Sequence, residues 1–154
     1  MNGYLDYKNY FKDTVVPAIT EIKDFVIGGS ERILNRENQI IQYPVLWLEV
    51  PDITWLNDGN LKRRFSGAFV VLMAAPNDDW TKEDADLDLT LLITNKVLAK
   101  MQYDAANDNE FEFEIEGAQT AHKGKWSGDN DWGWRTEFEL IGEACECIDG
   151  DCFE

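Results

Sequence analysis

The tetrapeptide Val45-Leu46-Trp47-Leu48 is apolar at every position, with Pro44 before it and Pro51 soon after. Successive side chains of a strand point to opposite faces, so this run predicts an internal strand, over residues 43–50, that is covered on both sides. A second run, residues 65–75, contains Phe65, Phe69, Val70, Val71 and Leu72, the aromatic and β-branched content that strands favour. It follows the turn signal Asn57-Asp58-Gly59-Asn60, which fits a hairpin with the preceding strand. A sheet buried on both faces needs further layers, and helical patterns lie on either side of these runs.

In residues 4–26 the apolar positions Tyr7, Phe11, Val15, Ile19, Ile22 and Val26 recur every three or four residues, the spacing of one helical face. Pro17 interrupts the pattern, as either a kink or the start of a second helix near Val16, and Gly28-Gly29 stops it. After Pro76, Thr81 and Asp84 make an approximate capping box ahead of a long helix predicted over residues 82–103. Leu87, Leu91, Leu98 and Met101 are its expected buried stripe, widened by Ile93 and Val97, and Lys96 and Lys100 suit the end of its dipole.

Residues 33–41 mix apolar and polar types around Asn35-Arg36-Glu37-Asn38 and read as a short hairpin or a bent loop. In residues 110–116, Phe111, Phe113 and Ile115 alternate with four glutamates, as in a strand with one solvated face. Residues 117–131 read as a polar loop, and residues 132–141 as a strand with Trp132, Trp134, Phe138 and Leu140 on one face. Arg135, Glu137 and Glu139 take the other face, where Arg135 could relieve the glutamate ladder if the two late strands pair. The order of elements predicts an α+β fold: a mainly antiparallel sheet of about four to five strands, with an N-terminal helix and a long central helix on one face. Residues 1–142 are expected to form one domain and residues 143–154 an acidic, cysteine-containing tail.

A net charge of -16 repels phosphate backbones and anionic lipid, so neither nucleic acid nor a membrane surface is an expected partner. The plainer reading of the acidity is solubility; the sharper one is a surface that faces a basic partner or excludes DNA from direct contact. No apolar run approaches the roughly 20 residues of a membrane span, and the first residues lack a signal-peptide core. The protein is therefore expected to stay in the compartment where it is made.

The residues that could carry chemistry are sparse. His122 is the sole histidine and has no serine or cysteine in a nucleophile-like setting nearby, so a solvent-exposed side chain is expected. Cys145, Cys147 and Cys152 are close enough in sequence to share a soft metal, yet a fourth ligand is wanting, and an incidental tail is the plainer reading. The carboxylates fit neither a calcium loop nor a catalytic pair, and Lys62-Arg63-Arg64 is too short a cluster for nucleic-acid binding. No catalytic, cofactor-binding or metal-binding residue is expected. Six tryptophans are more than a core of this size normally uses; Trp47 is assigned to the core, whereas Trp55, Trp80 and Trp126 are candidates to meet a partner.

The sequence resembles the tail terminator (tail completion) proteins of long-tailed phages and their prophage relatives. The resemblance lies in the amphipathic N-terminal helix, the strand opening Tyr43-Pro44-Val45-Leu46-Trp47-Leu48, and the hydrophobic strand over residues 65–75. The long helix over residues 82–103 and the late strands at 111–115 and 134–140 complete it. It implies a non-enzymatic virion protein that forms a ring, hexameric in that family, caps the tail tube and joins it to the head. Self and other tail proteins would be its partners, and the virion or the bacterial cytoplasm its location. A second reading is a small acidic module that binds a protein or ligand through its tryptophan-bearing loops.

Overall fold

The structure, a computed structural model, describes residues 1, 3–29, 40–57, 61–74, 79–108, 110–124 and 131–143. The amphipathic start winds as α1 (Tyr4–Asn9), a π-helical segment (Tyr10–Val15) and α2 (Val16–Ala18). Residues spaced by four drift about 40° per step on a helix of 3.6 residues per turn, and wider i→i+5 turns take up that drift. Tyr7, Phe11 and Val15 thus share one face, all fully buried. The helix stops one residue beyond Pro17, which has no N–H to continue the ladder, and Ile19 is already extended. It does not reach Val26 as the spacing predicted. Ile19 and Ile22 still enter the helix-side core, but the chain has turned into β1 (Asp24–Ile27), and Val26 packs on the opposite face of the sheet.

The other strands are β2 (Val45–Leu48), β3 (Asp52–Asn57), β4 (Leu61–Ala74), β5 (Glu112–Phe113), β6 (Gln119–Gly124) and β7 (Asp131–Glu143). All belong to one sheet of seven strands, more than the four to five expected, and it is mixed, since β1 runs parallel to β2. The excess has a local cause: two lanes of the sheet are interrupted. β2 and β3 lie end to end along one edge of β4, and β5 and β6 lie end to end along the outer edge of β7. Leu48 pairs with Phe69 and Asp52 with Ser66, so residues 49, 50 and 51 stand opposite only 67 and 68, as in a β-bulge. Pro51, unable to donate a ladder hydrogen bond, sits in this interruption. Between β5 and β6 the chain makes a 3-10 turn (Ile115–Gly117).

Two sequence expectations change here. Residues 110–116 form only the two-residue β5, and Ile115 turns outward instead of extending an alternating strand. The stretch expected to be a polar loop contains β6, which pairs along β7 from Gln119↔Glu137 to Gly124↔Trp132. An edge strand is held by its backbone, so it needs no apolar side chains to form. The segment 33–41 falls almost wholly outside the described residues.

The long helix α3 (Trp80–Asp108) is longer at both ends than its pattern suggested. Its start is capped by Asp79, whose Oδ1 accepts a hydrogen bond from the Lys82 N–H at 3.1 Å, in place of the Thr81–Asp84 pair. Its buried residues are Asp86, Thr90, Ile93, Thr94, Val97, Met101 and Asp104, while Leu87, Leu91 and Leu98 are only half-buried. A polar stripe can be buried because its groups are satisfied nearby. Thr90 and Thr94 donate to carbonyl oxygens one turn back, each at 2.8 Å, Lys82 donates to Asp86 at 2.6 Å, and Lys100 and Tyr10 donate to Asp104 at 2.5 and 3.0 Å. Among the described residues no helix is long and apolar enough to cross a membrane.

Both helical layers pack on one face of the sheet, as expected, around Tyr7, Phe11, Leu46, Leu48, Phe65, Phe69, Ile93, Val97, Met101, Phe138 and Leu140. On the other face Val26, Val45, Trp47, Val70 and Leu72 form a smaller cluster, with Ile41 and Tyr43 packed against it. Both sides of β2 are therefore buried, as its composition predicted. Trp47 is a core residue, and its indole N–H donates to the Gly28 carbonyl at 2.5 Å. Gly28 has φ 108°, a conformation that favours glycine, where the chain leaves β1.

The aromatic core centres on Tyr7, which stacks on Phe65 and Phe138 with ring centroids 5.9 and 6.3 Å apart. Its hydroxyl reaches the bulge and donates to the Glu49 carbonyl at 3.3 Å. This reach depends on Gly67 in the middle of β4, where an added Cβ would lie 2.3 Å from the Tyr7 hydroxyl oxygen. Gly67→Ala is accordingly expected to destabilise the fold by about 1–3 kcal/mol, the typical cost of overpacking, and Tyr7→Phe by about 1 kcal/mol. In denaturant titrations Tyr7→Phe should cost less in the Gly67→Ala background than alone, because it removes the colliding oxygen; strict additivity would contradict this packing.

Burial holds the Tyr7 and Tyr10 hydroxyls well above the ordinary tyrosine value near 10, reinforced by Glu49 and Tyr4 at Tyr7 and by Asp104 and Asp108 at Tyr10. Groups with pKa values raised by folding contribute stability that is complete below the unfolded value of about 10 and is lost as pH rises beyond it. Unfolding midpoints should therefore fall between about pH 8 and about pH 11, and Tyr10→Phe should shrink that fall. A fall of the same size in Tyr10→Phe would remove Tyr10 from the explanation.

Candidate functional site

The bulge at residues 49–51 shapes the open face of the sheet. Glu49 points away from the helices and meets Arg135 of β7, whose Nε and Nη2 donate to Oε1 and Oε2 at 2.7 and 2.9 Å. This bidentate fork is joined by Glu137, which accepts from Nη1. The hydrogen bonds to Glu49 push the Arg135 pKa further upward, against the opposing effect of partial burial, so the guanidinium stays charged. Around the fork lies a groove of about 350 Å³ that also carries Asp52 and Glu139, with Gly67 and Ala68 among its lining residues. Arg135 thus relieves the charge of Glu49 and Glu137 instead of the expected ladder of glutamates at residues 110–116, one of which, Glu112, accepts from Lys62 at 2.6 Å.

The second surface is the β3–β4 hairpin. Beyond the bulge the alternation of β3 is reset, so Ile53 pairs with Phe65 and Trp55 with Arg63 on the helix side of the sheet. Phe65 is buried under Tyr7, but farther along the hairpin Ile53, Trp55 and Leu61 are 44%, 58% and 46% exposed. Arg63 lies over the Trp55 ring, 4.6 Å from its centroid, a cation–π contact that holds the indole while leaving more than half of it in solvent. Outside its hairpin with β4, β3 has no strand partner among the described residues. An apolar, nearly uncharged strand with a free edge is a surface that folded proteins usually cover.

Of the three tryptophans singled out from the sequence, Trp55 is therefore on a strand and Trp80 opens α3, 76% exposed, while Trp126 lies outside the described residues. The structure does not bring Trp55 and Trp80 together. Trp80 precedes Leu87, whose carbonyl accepts from the Trp134 indole, whereas the hairpin pairs with the far end of β7, where Lys62 meets Glu143. Nine residues of strand separate Trp134 from Glu143, about 30 Å at 3.3 Å per residue.

His122 is on β6 instead of a loop, exposed, with its ring edge-on to Trp134 at 5.9 Å. Among the described residues no three histidine, cysteine, aspartate or glutamate side chains are placed to hold a metal ion, and Cys145, Cys147 and Cys152 lie outside them. Two features escaped the sequence reading although signals existed for both. Pro51, three residues after the apolar run 45–48, marked the bulge, and Gly67 inside a strand pattern marked a close approach by another group.

Replacing Arg135 by Met leaves Glu49 facing Glu137 without a cation between them, which should cost about 1–2 kcal/mol for so partly exposed a cluster. Converting Arg135 and Glu49 together to Met should cost less than Arg135→Met alone in urea titrations. The reverse order would show that Arg135 acts by packing instead of by charge. No protein-family model matches the sequence, and no curated protein matches it significantly.

Proposed function

We propose that the protein is a structural subunit that works by assembling with copies of itself and with neighbouring proteins, resembling a ring-forming tail terminator or head–tail joining subunit of a phage or prophage. The observation that carries this reading is the row of Ile53, Trp55 and Leu61 on a hairpin that extends past the packed core. Tryptophan and arginine are both enriched among the hot-spot residues of protein interfaces, and here the two are already in contact, so little side-chain freedom is lost on docking. The groove on the open face fits a structural role better than a catalytic one, because its arginine is committed to Glu49 and Glu137. Element order supports the resemblance: a helix, a Tyr-Pro strand, a long strand, a long helix and a closing long strand follow in the sequence of that family.

The alternative, a binding module that gathers its tryptophans around one ligand, is weakened by the separation of Trp55 and Trp80 along the molecule. Light scattering across a concentration series tests the reading. A discrete oligomer is expected, and Trp55→Ser, which leaves the buried core untouched, should weaken self-association by about tenfold or more. A monomer at every concentration would overturn it.

A further inference from the structure

Near its start the helix α3 carries an exposed ridge at i, i+4 spacing: Trp80, Asp84, Asp88 and Leu92. Trp80 and Leu92 are 76% and 50% exposed, and the two aspartates between them face away from the buried stripe. Like charges one turn apart repel each other, and the neighbouring lysines are used elsewhere, Lys82 by Asp86 and Lys96 by Glu21. Among the described residues neither Asp84 nor Asp88 has an ion-pair partner. The ridge is therefore apolar at both ends and acidic in the middle.

The hairpin face is its converse, with Ile53, Trp55 and Leu61 grouped around Arg63. The dimensions agree. The ridge spans twelve residues of helix, about 18 Å, and β3 is about 17 Å long. The two surfaces lie at opposite ends of the domain, since α3 begins near Trp134 and the hairpin pairs with the end of β7 at Glu143. One copy cannot dock its own hairpin on its own ridge.

We infer that the β3–β4 hairpin of one copy docks on the Trp80–Leu92 ridge of the next, with Arg63 placed between Asp84 and Asp88. The occupant is a second copy because the chain offers both halves of the complementarity, and in a protein of charge -16 an approach between copies requires a local match of opposite charge. A head-to-tail contact of this kind closes into a ring or continues as a filament, according to the rotation per subunit. The inference rests on the assembly reading above and adds to it the two surfaces that meet.

Charge reversal tests it. Arg63→Glu makes both halves acidic, and Asp84→Lys with Asp88→Lys makes both halves basic, so each variant alone should self-associate at least about tenfold more weakly than the wild type. Mixed in equal amounts, the variants restore opposite charges at every contact, and association should return to within about threefold of the wild type. Among the described residues the two aspartates make no ion pair, so the lysine variant provides a partner whose folding, checked by circular dichroism, is independent of the hairpin. A wild-type oligomer that both variants preserve, or that the mixture does not restore, overturns this inference and leaves the assembly reading standing. A monomeric wild type overturns both.

Discussion

The architecture depends on the contact of Tyr7 with the backbone of Glu49 over Gly67. The hydroxyl donates to the Glu49 carbonyl from the helical layer, and it can do so only because β4 has no side chain at residue 67. The same carbonyl belongs to the bulge where β2 gives way to β3. One aromatic side chain thereby fixes the entry angle of the N-terminal helix and satisfies a carbonyl that the interrupted ladder leaves over.

The consequences on the two faces of the sheet differ. On the open face the bulge turns the Glu49 side chain toward Arg135, closing an ion-pair cluster that spans β4 from its β2 side to β7. On the helix side it resets the alternation, so that Ile53 and Trp55, and not Thr54 and Leu56, share a face with Arg63 and Phe65. Without the extra residue the apolar side chains of β3 would point to the other side of the sheet. The surface to which we assign assembly is thus a product of the same local irregularity that anchors the core.

Much of this was legible in the sequence, and the failures share a cause. The buried strand at 45–48, the long strand ending near residue 75, the central helix and the alternation of β7 were all announced by side-chain periodicity, because in each the core selects the side chains. Periodicity misled where something other than the core decided. Val26 continued a helical spacing that Pro17 had already ended, and β6 formed from Gln119 to Gly124 because its backbone completes the edge of β7. The buried face of α3 was misread for a related reason: Thr90, Thr94, Asp86 and Asp104 appear polar but find their partners within a helical turn or at Tyr10. Of the interface candidates, exposure was expected from loop or capping positions; Trp80 does open α3, whereas Trp55 is exposed on the strand β3, and their separation along the molecule required the register of β7.

The proposed head-to-tail contact brings Lys62, next to Arg63 but on the other face of the hairpin, within a short linker's reach of Lys82, which lies two residues before Asp84 on α3 of the next copy. Within one chain these lysines belong to opposite ends of β7, about 30 Å apart along the strand, beyond a short amine-reactive linker. The most direct measurement is cross-linking of an equal mixture of isotopically heavy and light chains, read by mass spectrometry. A Lys62–Lys82 link that joins heavy to light chains is the expected result. Intermolecular links that consistently leave out either lysine, in a sample shown to be assembled, would contradict it.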